Sequence, residues 1–487
     1  MNFYFEAAKT LDRIDAKQGS IKGIIATLPE KDRKRTAALV IETLKFKSVL
    51  LEVIEKAKLM KEERKLTSVN LALTLVHDVL LARGIQAGDG PIKQAVLRHK
   101  TRLHGEFQKL KIKRGATSNE QLAHNGDERA ALIPRYVRVN TVRGTLEEVL
   151  EVLRSRGYVL SDPLSSKKGF SQDKHVPNLL LLHPSTTFQD DPLYTSGKII
   201  LQDKASCFPA LVLAPPAADD SVVIDATSAP GNKTSHLSAL MNNQGKLYAF
   251  ERDRKRFSTL KMMLAKAGCS NVSPINDDFL TVDPNAEQKA VIPAVTDKLM
   301  RLPFPFSLLD PSCSGSGIVN RLDHLLEADT EDNTSKEKED DRLDKLAAFQ
   351  LMMIRHAMKF PNVKKIVYST CSIHATENER VVQNALQAEE ATAGKFELAR
   401  REDVLPTWPR RGYPEELLHS EDAASLVRCL PGEDATNGFF VSCFVRADAE
   451  SEGDPNSKKR KNTDSDEPPK SKNQKKKKRR KTANKTD

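Results

Sequence analysis

From about residue 196 onward, short apolar segments alternate with amphipathic stretches, an order that few folds accept. SVVID (221–225), KLYAF (246–250), NVSPIN (271–276), FSLLD (306–310) and KKIVYS (364–369) read as buried strands. The intervening HLSALMNN, RKRFSTLKMMLAKAG and KLAAFQLMMIRHAMKF place apolar residues at helical spacing. Such alternation predicts an open, mainly parallel α/β sheet covered by helices on both faces. The last apolar run, GFFVSCFVR, predicts an antiparallel strand close to one edge. Ligands of these sheets bind beyond the carboxyl ends of the strands, so chemistry is expected there.

The 487 residues leave room for more than this one domain. Residues 1–114 read as a basic helical domain, in which SVNLALTLVHDVLLARG closes at Gly84, and 115–131 as a polar linker. In PRYVRVNTVRG, Tyr136, Arg138 and Asn140 alternate with Val137 and Val139, the mark of a half-buried strand, and the helix TLEEVLEVLRSRG follows. A small α+β unit is therefore expected over 132–195, and the sheet domain over 196–447. Within the latter, 323–344 carries ten acids against three bases and reads as a flexible acidic insert. Residues 448–487 read as a disordered tail with basic clusters at Lys458–Lys461 and Lys475–Lys481.

The net charge of +11 comes from the two ends of the chain, which suits a phosphate-backbone partner. The basic tail is expected to act as a nuclear, specifically nucleolar, address. Six cysteines form no CxxC and no metal-ligand spacing, so a reducing compartment and no metal are expected. No apolar run of about 18 residues is present, which argues against a membrane span.

After the first strand, DATSAPGNKTSH (225–236) turns through Pro230 and Gly231 into a helix, and Gly231 is read as allowing backbone to approach a ligand. The second strand ends in Glu251, a carboxylate suited to ribose hydroxyls. A dinucleotide site would need G-x-G-x-x-G, and this loop has one glycine. A P-loop would need glycine directly before lysine, and Asn232 intervenes before Lys233; Asp310, ending an apolar strand like a magnesium-binding acid, keeps that reading open. S-adenosylmethionine has a ribose and no phosphate, and fits best.

The fourth and fifth strands end in DPSCSGSG (310–317) and YSTCS (368–372), so Cys313 and Cys371 leave the same sheet edge. If those strands are neighbours, both thiols face one pocket. Cys207, Cys269, Cys429 and Cys443 are read instead as small buried apolar residues. A thiolate beside a methyl donor has a specific use. Carbon 5 of cytosine is a poor nucleophile until a thiolate adds to carbon 6, and a base must later remove the carbon-5 proton. Asp310, near both thiols, is suited to holding the protonated ring.

These residues resemble the Sun-domain (NSUN) RNA (cytosine-5)-methyltransferases. The likeness runs over PRYVRVNT, LQDKASC (201–207), DATSAPGNKTSH, YAFERDRKR, DDFL (277–280), LLDPSCSGSG and STCS. APGNKTSH and the N-terminal KQGSIKG are most similar to the fifth NSUN subfamily, methyltransferases of large-subunit ribosomal RNA. The resemblance implies a Rossmann-like S-adenosylmethionine methyltransferase sheet and makes the 132–195 unit RNA-recognition-like. It implies a cofactor loop of Thr227, Ser228, Ala229, Pro230, Gly231, Asn232 and Lys233, with Glu251, Arg256, Asp278 and Asp310 also on the cofactor side. It implies Cys371 as nucleophile and Cys313 as the residue of product release, and makes Lys233 and Lys204 candidates for contact near the target base. RNA, as large-subunit rRNA or the pre-ribosome, is the implied partner. The other readings are a pre-ribosomal RNA-binding assembly factor and a P-loop-like NTPase.

Overall fold

The N-terminal segment folds into helices because its apolar residues recur on one face of each turn. In the computed structural model, which describes residues 1–284, 305–319, 325 and 333–447 apart from 17, 20, 125 and 126, helices run from Asn2 to Lys113. Val69–Leu80 is their central helix; its N-cap Ser68 accepts from Leu71 N at 3.2 Å, and every residue from Asn70 to Leu80 is buried. A helix buried all round needs packing on every side, and Tyr4, Leu11, Leu44, Val53 and Phe107 provide it. The helix stops at Leu80 rather than at Gly84; Gly84, at φ +90°, turns its N–H back to the Asp78 carbonyl.

The α+β unit is a five-stranded sheet of β1 (Arg135–Val139), β2 (Val159–Leu160), β3 (Gly169–Gln172), β4 (Leu179–Leu182) and β5 (Ile199–Leu201), in the order β2-β3-β4-β1-β5. Its last strand lies beyond residue 195, so the expected boundary falls short of the sheet: Ile199 and Ile200 are buried and pair with Val139 and Arg138. Strand β1 also departs from its expected environment. The strand is buried on both faces, not half-buried. Val137 and Val139 pack beneath helix Leu146–Ser155, and the polar alternates Arg138 and Asn140, 1% and 0% exposed, are covered by the larger domain.

The larger domain contains β6 (Val222–Asp225), β7 (Lys246–Phe250), β8 (Val272–Ile275), β9 (Phe306–Leu309), β10 (Lys365–Thr370), β11 (Phe396–Leu398), β12 (Val427–Cys429) and β13 (Phe439–Arg446). The order β11-β13-β10-β9-β6-β7-β8 places the five expected parallel strands side by side, with β13 antiparallel against β10 and next to the edge. β11 and β12 are too short to leave a periodic pattern in the sequence. Chain direction across the sheet reverses between β6 and β9, which opens a crevice at their carboxyl ends. In the acidic insert, residues 333–344 are not loop but the start of the helix Asn333–Met358. The remainder of 323–344 apart from Leu325, and the tail 448–487, lie outside the described residues.

Candidate active site

Register decides which loops meet. Leu309 on β9 pairs with Tyr368 on β10, so the residue that follows on each strand, Asp310 and Ser369, stand side by side. Ser369 Oγ donates to Asp310 Oδ1 at 2.7 Å, and Lys233 Nζ reaches Asp310 Oδ2 at 2.7 Å from the β6 side. The Asp310 N–H donates to Thr227 Oγ1 at 2.9 Å, tying the two neighbouring loops together. Burial alone would push the Lys233 ammonium down, but Asp310 and the nearby Cys371 sulfur more than offset it and hold it above its ordinary value.

The same register brings the two cysteines into contact. Cys313 Sγ and Cys371 Sγ are 3.0 Å apart. The Cys371 contact, then burial, then the charges of Asp310 and Glu377 push the Cys313 thiol well above its ordinary value. In that setting the Cys313 thiol holds its proton more tightly than a free thiol does. Its loop is held by Glu377, fully buried, which accepts from Ser314 N at 2.9 Å, Ser314 Oγ at 2.6 Å and Gln350 Nε2 at 2.9 Å. Ser369 and Glu377 were missed by the sequence reading. Ser369 could have been found, two residues before Cys371 on the same strand face; Glu377 left no signal.

A pocket of about 290 Å³ opens in front of these groups, at the lower end of ligand-sized clefts. Thr227, Ala229, Glu251, Arg256, Asp278, Asp310, Cys313 and Cys371 all line it, together with the unanticipated apolar residues Phe250, Phe279, Phe349 and Met353. Glu251, 5% exposed, uses Oε1 to accept from Asp253 N at 2.8 Å and has Arg256 Nη1 3.5 Å from Oε2. Arg256 also donates to the Ala229 carbonyl at 2.8 Å, so it holds the loop in place as well as bordering the cleft.

Ser228, Pro230, Gly231, Asn232 and Lys233 are behind the pocket wall rather than on it. Ser228 Oγ donates to the Asp225 carbonyl at 2.8 Å, and Asn232 begins the helix Asn232–Leu240. Gly231 serves a different purpose from the one expected. At φ +113° it favours glycine, and a Cβ there would meet Leu260 Cδ1 at 3.2 Å, so it permits close packing on the helix Arg254–Ala267. Lys204 does not line the cleft; it is 7% exposed, 3.5 Å from Asp173 and beside the rings of Tyr136 and Trp408. Lys233 is committed to Asp310, which leaves the P-loop reading without its phosphate-binding lysine. Cys207, Cys429 and Cys443 are buried as expected, while Cys269 is partly exposed.

Asp225, at the base of the loop, is pushed up to about 6 by burial, against hydrogen bonds from Thr234 Oγ1 and Thr227 N that favour its charge. Its folded value exceeds the unfolded one, so the stability it contributes is present below about pH 4 and is lost as pH rises through about 6. Relative to Asp225→Asn, the wild type should lose about 2 kcal/mol between pH 4 and pH 7. Denaturant titrations of both proteins across that range test this, and parallel curves would contradict it.

The RsmB/F family of 16S rRNA methyltransferases matches residues 210–445. The N-terminal and ferredoxin-like domains of NOL1/NOP2/Sun domain family member 5 match 34–123 and 133–202. The 25S rRNA (cytosine-C(5))-methyltransferase rcm1 of Schizosaccharomyces pombe is 41% identical over 93% of each chain. The 28S rRNA (cytosine-C(5))-methyltransferase of Mus musculus is 39% identical over 92% of each. The crystal structure of PH0851 shares the fold, with a TM-score of 0.57 at 20% identity over 90% of this chain and 97% of that one.

Proposed function

Because this chain belongs to the NSUN5-type family of large-subunit rRNA (cytosine-C(5))-methyltransferases, we propose that it methylates carbon 5 of a cytosine in large-subunit rRNA through a covalent bond from Cys371. The observation that carries this reading is the contact of two sulfurs at 3.0 Å on the wall of a pocket that also holds Asp310.

Membership of a methyltransferase family implies S-adenosylmethionine as methyl donor. The donor set suits that molecule: Glu251 and Asp278 stand at the ends of adjacent strands, Phe250, Phe279 and Met353 provide an apolar wall, and no cradle for phosphate is required. When bound, the cofactor supplies an electrophilic methyl group. Glu251 would accept from its ribose hydroxyls and Asp278 would face its base.

The protein's own residues do the rest. Cys371 as thiolate adds to carbon 6 of the cytosine, moving electron density to carbon 5. The Asp310 carboxylate, oriented by Ser369 and Lys233, accepts hydrogen bonds from the protonated N3 and the exocyclic amine, which favours cytosine over uracil. Contact with Cys371 is the largest cause of the raised proton affinity of Cys313. Once Cys371 is bonded to carbon, that contact no longer holds the proton, and Cys313 can lose it to solvent and then, as thiolate, take the one from carbon 5. Loss of that proton restores the ring and expels Cys371.

Bisulfite sequencing of large-subunit rRNA from cells lacking the protein tests the reading. A cytosine protected by the wild type should become unprotected without it and remain so when Cys371→Ala is supplied. Protection restored by Cys371→Ala would overturn the proposal.

A further inference from the structure

Arg138 is among the largest fully buried side chains of the protein, at 1% exposure, and among the described residues no carboxylate pairs with it. Burial pushes its guanidinium down to about 10. An uncompensated buried charge is expensive, and an apolar residue of similar size would seal a domain seam at lower cost. What Arg138 does with its donors is specific. Nε donates to Gln202 Oε1 at 2.7 Å, and Nη2 donates to Ser235 Oγ at 2.9 Å and to the Asn232 carbonyl at 3.3 Å.

Asn232 and Ser235 form the first turn of the helix Asn232–Leu240, and the residue between Asn232 and Thr234 is Lys233. A cation at a helix N-terminus opposes the helix dipole, so this contact is not placed there for helix stability. Around it, Arg138 Nη1, Asn232 Oδ1 and His236 Nδ1 are buried and find no hydrogen-bond partner among the described residues. Buried polar groups left unmatched at one spot mark a place where the fold is not tuned for stability alone.

We propose that Arg138 is a positioning residue: from the small α+β unit it sets the first turn of the helix that delivers Lys233 to Asp310. The RNA-recognition-like unit thereby fixes how Lys233, from behind the pocket wall, orients the Asp310 carboxylate that lines it. Asn140, two residues further on the same strand face, provides the contrast. Its Nδ2 donates to the Gly197 and Ala267 carbonyls at 2.9 and 2.8 Å, so it seals the seam without touching the start of that helix.

The inference rests on the methyltransferase reading, and a double-mutant cycle on rRNA methylation separates the two. Arg138→Met should lower kcat at least tenfold, with KM for RNA and the affinity for S-adenosylmethionine within threefold of wild type. Arg138→Met combined with Lys233→Ala should be no slower than Lys233→Ala alone, because one acts through the other. Asn140→Ala should lose stability and keep kcat within twofold. Multiplying effects of Arg138→Met and Lys233→Ala, or an equal fall in kcat for Asn140→Ala, would overturn the inference and leave the reaction untouched. Inactive wild-type protein, or active Cys371→Ala, would count against the methyltransferase reading instead. Should Arg138→Met not fold, Arg138→Lys, which keeps the charge and loses the fork, is held to the same non-additivity.

Discussion

Replacing Cys313 by alanine is expected to leave the protein covalently attached to its RNA, as a band that survives denaturing electrophoresis, while replacing Cys371 abolishes both methylation and adduct. The two sulfurs touch, yet their positions differ. Cys371 follows β10 directly, and its neighbour Ser369 holds Asp310; Cys313 sits in a loop shaped by Glu377. On the proposed reading the first attacks and the second assists after it. Without Cys313 the carbon-5 proton loses its proposed acceptor, so the intermediate accumulates. Without Cys371 no bond to carbon 6 forms, and the rate should fall on the order of 10⁴-fold or more. Adduct accumulating in Cys371→Ala instead would reverse the two roles.

The second large effect is on stability. Arg428 and Glu379 are both fully buried and form a bidentate pair, Nε to Oε1 and Nη2 to Oε2, each at 2.6 Å. Arg428 Nη1 also donates to the Ile373 carbonyl at 2.9 Å, and its guanidinium lies 3.9 Å above the Tyr413 ring. The pair thus pins the loop that leaves Cys371. Arg428→Ala removes one charge and strands the other, which costs about 3–5 kcal/mol. Against a typical total of about 5–15 kcal/mol, that is a large share. Denaturant unfolding should register it. The double replacement Arg428→Met with Glu379→Leu should recover much of the loss, because no charge is then stranded. A single variant as stable as wild type would contradict the account, and so would a double variant less stable than either single.

The five parallel strands of the large sheet were legible because each is a short apolar run bounded by helix, and buried parallel strands have that texture. The meeting of Asp310, Cys313 and Cys371 was legible because the sheet architecture sends all three to one edge. The burial of Arg138 and Asn140 was not. Strand alternation separates polar from apolar faces, and it cannot say whether a second domain covers the polar one. The boundary at residue 195 failed for a related reason, since Ile199–Leu201 is apolar enough to belong to either sheet and only pairing assigns it to β1. Gly231 was read toward a ligand because loop glycines often serve that end, yet the structure turns its missing Cβ toward Leu260. In the acidic insert, charge density suggested loop where residues 333–344 continue into a helix whose apolar face is anchored further along, by Met353, Ile354 and Ala357.

The most direct measurement is the site of the covalent bond. An RNA substrate carrying 5-azacytosine at the target position traps the carbon-6 adduct, because its ring has no carbon-5 proton to lose. Proteolysis followed by mass spectrometry then identifies the attached peptide. The account predicts the modified nucleotide on Cys371 in the YSTCS segment of wild-type protein. Attachment at Cys313, or no attachment to either cysteine while methylation proceeds, would contradict it.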